Sequence, residues 1–193
     1  MLNRHFLKSL IIFTGIILRP GEQFSFNNLL GPVDASTGYL PERVIKEGKL
    51  IPEYGGGLCQ VSTTLFRAVF HTGLPIKERR PHSLPVRYYN PQGFDATIYP
   101  GVSDLKFTND TPAHILIQAK VVGSKLNFEI YGTSDNRRVV TDGPRQYDVQ
   151  ANGALKAILN RTTIYADGIE KKDEFRSSYK SPSLFPTVRN PLE

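Results

Sequence analysis

The sequence predicts an α+β fold, built mostly from antiparallel strands and hairpins around one central helix. Three observations carry this reading. Sixteen glycines and fourteen prolines in 193 residues supply more turns than a helical bundle uses. Ile115, Ile117, Ala119 and Val121 alternate with Leu116, Gln118 and Lys120, and Leu126, Phe128 and Ile130 alternate again after Gly123-Ser124. Two such runs about a Gly-Ser pair read as a hairpin. Between the halves, Leu58, Val61, Leu65 and Val69 step by three and four, with Phe66 and Phe70 widening the stripe.

Taken in order, residues 3–13 alternate apolar and basic in a helix-like way. The segment MLNRHFLKSLIIFTGIIL has the basic start and apolar run of a secretory signal but is too short to span a bilayer. No A-x-A-like cleavage site follows it, so there is no clear signal peptide; it reads as a buried helix or helix-strand element, a signal remnant being the alternative. Pro20-Gly21 marks a turn, and QFSFN, residues 23–27, a short strand. Residues 30–53 read as loop with one or two short elements. The helix runs from about Leu58 to Thr72, closed by Gly73 and stopped by Pro75. Asn152-Gly153 and Asp167-Gly168 repeat the hairpin device, and SPSLFPTVRNPLE is an extended tail. The chain reads as an α+β domain over 1–133 and a β-rich C-terminal extension with a Pro-rich tail over 134–193.

Composition narrows the function. Apolar residues at 39% and charged residues at 22% support a packed core. A net charge of +6 favours anionic partners, among them wall polymers, while no nucleic-acid motif is present. One cysteine excludes an internal disulfide and a cysteine-rich zinc site, and the four histidines show no H-x-x-x-H spacing. No metal or cofactor is expected.

That cysteine, Cys59, follows three glycines at the start of the predicted helix. Free backbone N–H groups and the helix dipole favour an anion there, which lowers a thiol pKa. Gly56 and Gly57 allow a sharp turn and a close substrate approach, and the N–H groups of Cys59 and Gln60 are expected to form an oxyanion hole. Gln60, Ser62 and Thr63 share the first turn and are expected to position substrate, as are Arg80 and Ser83. His82, in a Pro-punctuated segment, is the candidate base, and Asp95 the group that orients it. His71 lies about 18 Å along the helix from Cys59, too far to serve, and is expected to cap the helix end. Against this, a lone Cys is most often a small buried hydrophobe, and an Asp before a strand a turn former.

PGEQFSFNNLLGPVDASTGY, GGGLCQVSTTLFRAV, and the run from ERRPHSLPVRYYNPQGFDATIYPG through DLKFTND together resemble the VanW domain family in order and spacing, over roughly residues 3–133. That family takes its name from vancomycin-resistance gene clusters. Its members are typically bacterial and surface-exposed, and have been linked to L,D-transpeptidation of peptidoglycan through a cysteine. The resemblance implies Cys59 as nucleophile with His82 and Asp95 in support, peptidoglycan stem peptides as substrate, and a location on the cell-wall side of a bacterial membrane. Membrane contact is expected only through an anchor outside this sequence. The leading expectation is therefore a cysteine acyltransferase of L,D-transpeptidase type. A non-catalytic wall-binding or accessory protein and a cysteine peptidase or amidase are the alternatives.

Overall fold

A computed structural model describes residues 11–39, 41–46 and 49–184. Among the described residues there are three three-stranded antiparallel sheets, one two-stranded hairpin and one long helix. The first sheet places β7 (Ile115–Val122) between β1 (Ile16–Leu18) and β8 (Lys125–Gly132). The second orders β2 (Gln23–Ser25), β6 (Lys106–Thr108) and β5 (Ile76–Glu78). The third places β10 (Leu155–Ile164) between β9 (Arg138–Tyr147) and β11 (Glu170–Tyr179). β3 (Pro41–Lys46) pairs with β4 (Lys49–Tyr54).

Local chemistry explains most boundaries. Val122 faces Lys125 across the Gly123-Ser124 turn, where Gly123 has φ 61°, as the alternation predicts. Turns at Asn152-Gly153 and Asp167-Gly168 join β9 to β10 and β10 to β11. The strand read over 23–27 stops at Ser25. Its hydroxyl accepts from Asn28 N–H at 3.2 Å and donates to Asp104 at 2.6 Å, which starts the short helix α1 (Phe26–Leu30) instead. The expected loop over 30–53 holds the β3–β4 hairpin. The helix-like reading of residues 3–13 falls mostly outside the described residues, as does the tail after Leu184.

The long helix α2 spans Leu58–Thr72, and Gly73 caps it in the left-handed region at φ 77°. The whole apolar stripe is inside: Leu58, Val61, Leu65, Phe66, Val69 and Phe70 are each at most 3% exposed. Phe66 and Phe70 meet Phe94 at centroid distances of 5.6 and 5.0 Å and Phe175 of β11 at 5.9 and 5.6 Å. The C-terminal sheet thus closes one side of the same core. Leu65→Ala should lower stability by about 2–4 kcal/mol, the cost of a partly collapsed cavity; an unchanged thermal midpoint would put the wrong face in the core.

The end of α2 departs from expectation. His71 is exposed, its ring lying against Phe70 and Phe94. The terminal carbonyls are met by Arg161 of β10, which is 1% exposed and donates to Phe70 O at 3.0 Å and Leu74 O at 3.1 Å. A buried guanidinium from a distant strand replaces the local histidine as the cap.

Candidate active site

Gly57 is the N-cap of α2, in the left-handed region at φ 83°, and a Cβ there would face open space. Gly55 is left-handed at φ 93°, and a Cβ on it would lie 2.8 Å from both Leu58 and Val33 side chains. The run therefore reverses the chain beneath the helix and leaves the approach to its first turn unobstructed. Cys59 sits in that turn, half-buried and unpaired. Its Sγ lies 3.3 Å from Thr97 Oγ1 and 3.7 Å from the Ile98 carbonyl.

The backbone donors differ from the expected pair. Gln60 N–H already donates to Gly57 O at 3.0 Å, so it is closed to an oxyanion. Cys59 N–H donates to no acceptor among the described residues, and is the one that stays free for a developing charge.

His82 lies close enough to couple electrostatically with the thiol, whose own hydrogen-bond partners are Thr97 and Ile98. Its Nδ1 is 2.5 Å from Asp95 Oδ2, and its backbone N–H donates to the same oxygen at 2.8 Å. Tyr89 stacks on the imidazole at 4.5 Å and 16°. The ring is thus fixed by a carboxylate at one nitrogen and by an aromatic face, with its other nitrogen left toward sulfur. Asp95 is 1% exposed and carries a second set of donors on Oδ1, from Arg79 at 3.1 Å and Tyr179 O–H at 2.5 Å.

These contacts set the protonation states. Burial alone would raise the Cys59 pKa, but coupling to His82, helped by Thr97 and the Ile98 backbone, brings it below the ordinary thiol value. Burial alone would lower the His82 pKa, but the bond to Asp95, coupling to Cys59 and the charge of Asp95 raise it to about 9. Burial likewise works against the Asp95 carboxylate, and the bonds and charges of His82 and Arg79 overcome it, lowering its pKa to about 2. These shifts favour a thiolate–imidazolium pair over a carboxylate anion. Cys59 should react with iodoacetamide faster than a free model thiol at pH 6; a rate at or below the model thiol would contradict the ion pair.

The remaining expected residues divide. Gly56 is buried beneath the turn, Gln60 is half-buried beside the thiol, and Ser83 is exposed just after His82. Arg80 is exposed and bridges Thr97 across the strand pair, its carbonyl accepting from Thr97 N–H at 2.8 Å. Ser62 and Thr63, expected to touch substrate, are 0% and 4% exposed. Thr63 Oγ1 donates to Ala96 O at 3.2 Å and accepts from Ala96 N–H at 3.1 Å. Its role is to pin α2 to the segment that carries Asp95. Four site residues were not read from the sequence: Arg79, Tyr89, Thr97 and Tyr179. For Arg79 a signal existed. In ERRPH neighbouring side chains point to opposite faces, so one arginine of the pair must turn inward toward Asp95.

Among the described residues no group of three or more His, Cys, Asp or Glu could hold a metal ion, and no helix is long and apolar enough to cross a membrane. No solved structure matches the chain. The chain is 40% identical over 117 residues to the uncharacterized protein YoaR of Bacillus subtilis, covering 61% of this chain and 38% of that protein. It is 32% identical over 146 residues to the vancomycin B-type resistance protein VanW of Enterococcus faecalis, covering 72% of this chain and 53% of that protein. The chain thus spans about half or less of these relatives' length. A family profile described as VanW like protein matches residues 9–131, which hold Cys59, His82 and Asp95, and the chain belongs to the VanW family.

Proposed function

We propose that this chain is a cysteine acyltransferase acting on peptidoglycan stem peptides, in the manner of an L,D-transpeptidase, on the cell-wall side of a bacterial membrane. The observation that supports it most is that Cys59, coupled to His82, shares one site with Asp95, whose Oδ2 lies 2.5 Å from His82 Nδ1. A relative named for vancomycin resistance is consistent with a wall substrate, and the net charge of +6 with binding to anionic wall polymers.

In the first step the Cys59 thiolate attacks the carbonyl carbon of a stem-peptide amide, forming the C–S bond and an oxyanion held by Cys59 N–H. The oxyanion collapses, the C–N bond breaks, and the His82 imidazolium gives its proton to the leaving amine. This leaves a thioester on Cys59 and a neutral imidazole. An acceptor amine then attacks the thioester carbonyl. His82 takes the amine proton, the C–S bond breaks, and sulfur leaves as the thiolate, which restores the ion pair. Throughout, Asp95 stays ionised and holds Nδ1–H, so the proton moves at the nitrogen facing sulfur.

The pH dependence follows. Transfer should fall as pH rises through about 9, where the imidazolium loses the proton that the leaving amine needs. It should fall on the acid side only below the ordinary thiol range, where the lowered Cys59 pKa is crossed. The experiment is incubation with a donor stem peptide and an amine acceptor, with product masses read over time. A cross-linked product lost in Cys59→Ala supports transfer. A shortened, uncoupled donor indicates an amidase, and an unchanged donor indicates an accessory protein.

A further inference from the structure

β11 lies beyond residues 9–131, the segment matched by the family profile, yet its end holds the site at several points. Tyr179 is 2% exposed. Its O–H donates to Asp95 Oδ1 at 2.5 Å and its oxygen accepts from Gly93 N–H at 2.7 Å. Ser177 accepts from Arg79 at 2.8 Å. Lys180 N–H donates to Ser83 O at 2.8 Å, next to His82. Ala157 of the neighbouring strand leaves no room for a side chain at position 93, since a Cβ on Gly93 would lie 2.8 Å from its own.

We propose that Tyr179 is a positioning residue for the Cys59–His82 pair, acting through Asp95. The C-terminal sheet is then part of the acyl-transfer machinery rather than an appendage, an inference that rests on the transfer reading for its purpose. The two carboxylate oxygens of Asp95 are divided: Oδ1 is taken by Tyr179 and Arg79, and Oδ2 is left to His82 alone. The division fixes the carboxylate plane and with it the imidazole. It also sets the acidity of the imidazolium. A donor on Oδ1 draws negative charge from the carboxylate, weakens its hold on Nδ1–H, and keeps the imidazolium a strong enough acid to protonate a leaving amine. Burial and the Asp95 charge keep the phenol protonated, so it acts only as this donor. The other groups around the imidazole are Cys59 from α2 and Tyr89 stacked on it, with Arg79 behind Asp95 and Lys180 following Tyr179.

The test is the titration of the thiolate–imidazolium pair, its acid midpoint followed by ultraviolet thiolate absorbance and its alkaline midpoint by the NMR shifts of the His82 imidazole. It needs no substrate. In Tyr179→Phe the carboxylate loses one donor, so the alkaline midpoint should move up and acyl transfer should slow. Site-specific 3-fluorotyrosine at position 179 keeps the shape and strengthens the donor, so the midpoint should move down; it also serves if Tyr179→Phe does not fold. A midpoint unchanged in the fluorotyrosine protein, or one unchanged or lowered in a folded Tyr179→Phe with only the melting temperature reduced, would make Tyr179 a packing residue and overturn the proposal. If the midpoints move as stated and no acyl transfer is found, the positioning role stands and the transfer reading fails.

Discussion

His82→Gln is expected to lower acyl transfer by about 10²–10⁴, the usual reach of general acid–base catalysis, and to slow alkylation of Cys59 near pH 6 as well. From the sequence the helix start is expected to keep part of the thiolate without the ring, so that alkylation falls only moderately. Magnitudes decide against that. A helix N-terminus contributes about 0.3–1 kcal/mol to an exposed anion and up to about 2 kcal/mol to a partly buried one, no more than about one and a half pKa units at about 1.4 kcal/mol each. Burial of Cys59 acts in the opposite direction, and coupling to His82 is the largest of the effects that overcome it. Without the imidazolium, burial prevails and the thiol is protonated at neutral pH. Glutamine can still donate to sulfur but cannot carry a proton from thiol to amine. Turnover and alkylation measured together on one folded variant check this: near-wild-type turnover would leave a lone thiol or another base, and undiminished alkylation would return the thiolate to the helix dipole.

Arg161→Met should destabilise the protein by about 3 kcal/mol, toward the lower end for breaking a buried ion pair. Arg161 is the largest fully buried side chain among the described residues. It donates to Phe70 O and Leu74 O, pairs with Asp173, and lies over the Phe70 and Phe175 rings at 5.3 and 5.8 Å. Methionine fills most of the space and none of the donors. Leu74 O then loses its partner and Phe70 O keeps only the 3.4 Å bond from Gly73 N–H, at roughly 1–3 kcal/mol for a group left unsatisfied. Asp173 is 21% exposed, so water relieves part of its loss. Urea denaturation gives the number. A loss below about 1 kcal/mol would mean that Gly73 N–H and water cap α2 without Arg161.

The helix was legible because each of its boundaries is a local event: a glycine run, an apolar stripe, a left-handed glycine. The 115–132 hairpin was legible for the same reason. Cys59, His82 and Asp95 could be named together as candidates because residue type and family pattern agreed, and the fold brings His82 and Asp95 into contact beside Cys59. The wall behind them was not. Tyr179 meets Asp95 across 84 residues, and Ser177 meets Arg79 across 98. Such contacts are fixed by where β11 lands on the core and leave no periodic trace. Ser62 and Thr63 were misread for a geometric reason. Three and four residues after Cys59 they do share its side of the helix, but that side packs onto the segment around Ala96, so only the exposed end of the first turn keeps access. QFSFN was misread because a serine cap acts at one residue, whereas strand alternation is judged over several.

The central claim is that Cys59 forms a covalent acyl link in the course of its function. Intact mass spectrometry of the protein, quenched in acid after incubation with stem peptide, tests it most directly, with peptide mapping to place the adduct. The account predicts a mass gain equal to the donor acyl group, located on Cys59, released by hydroxylamine, absent in Cys59→Ala and slow to form in His82→Gln. A protein that turns over or binds stem peptide with no adduct, or an adduct that persists in Cys59→Ala, would contradict it.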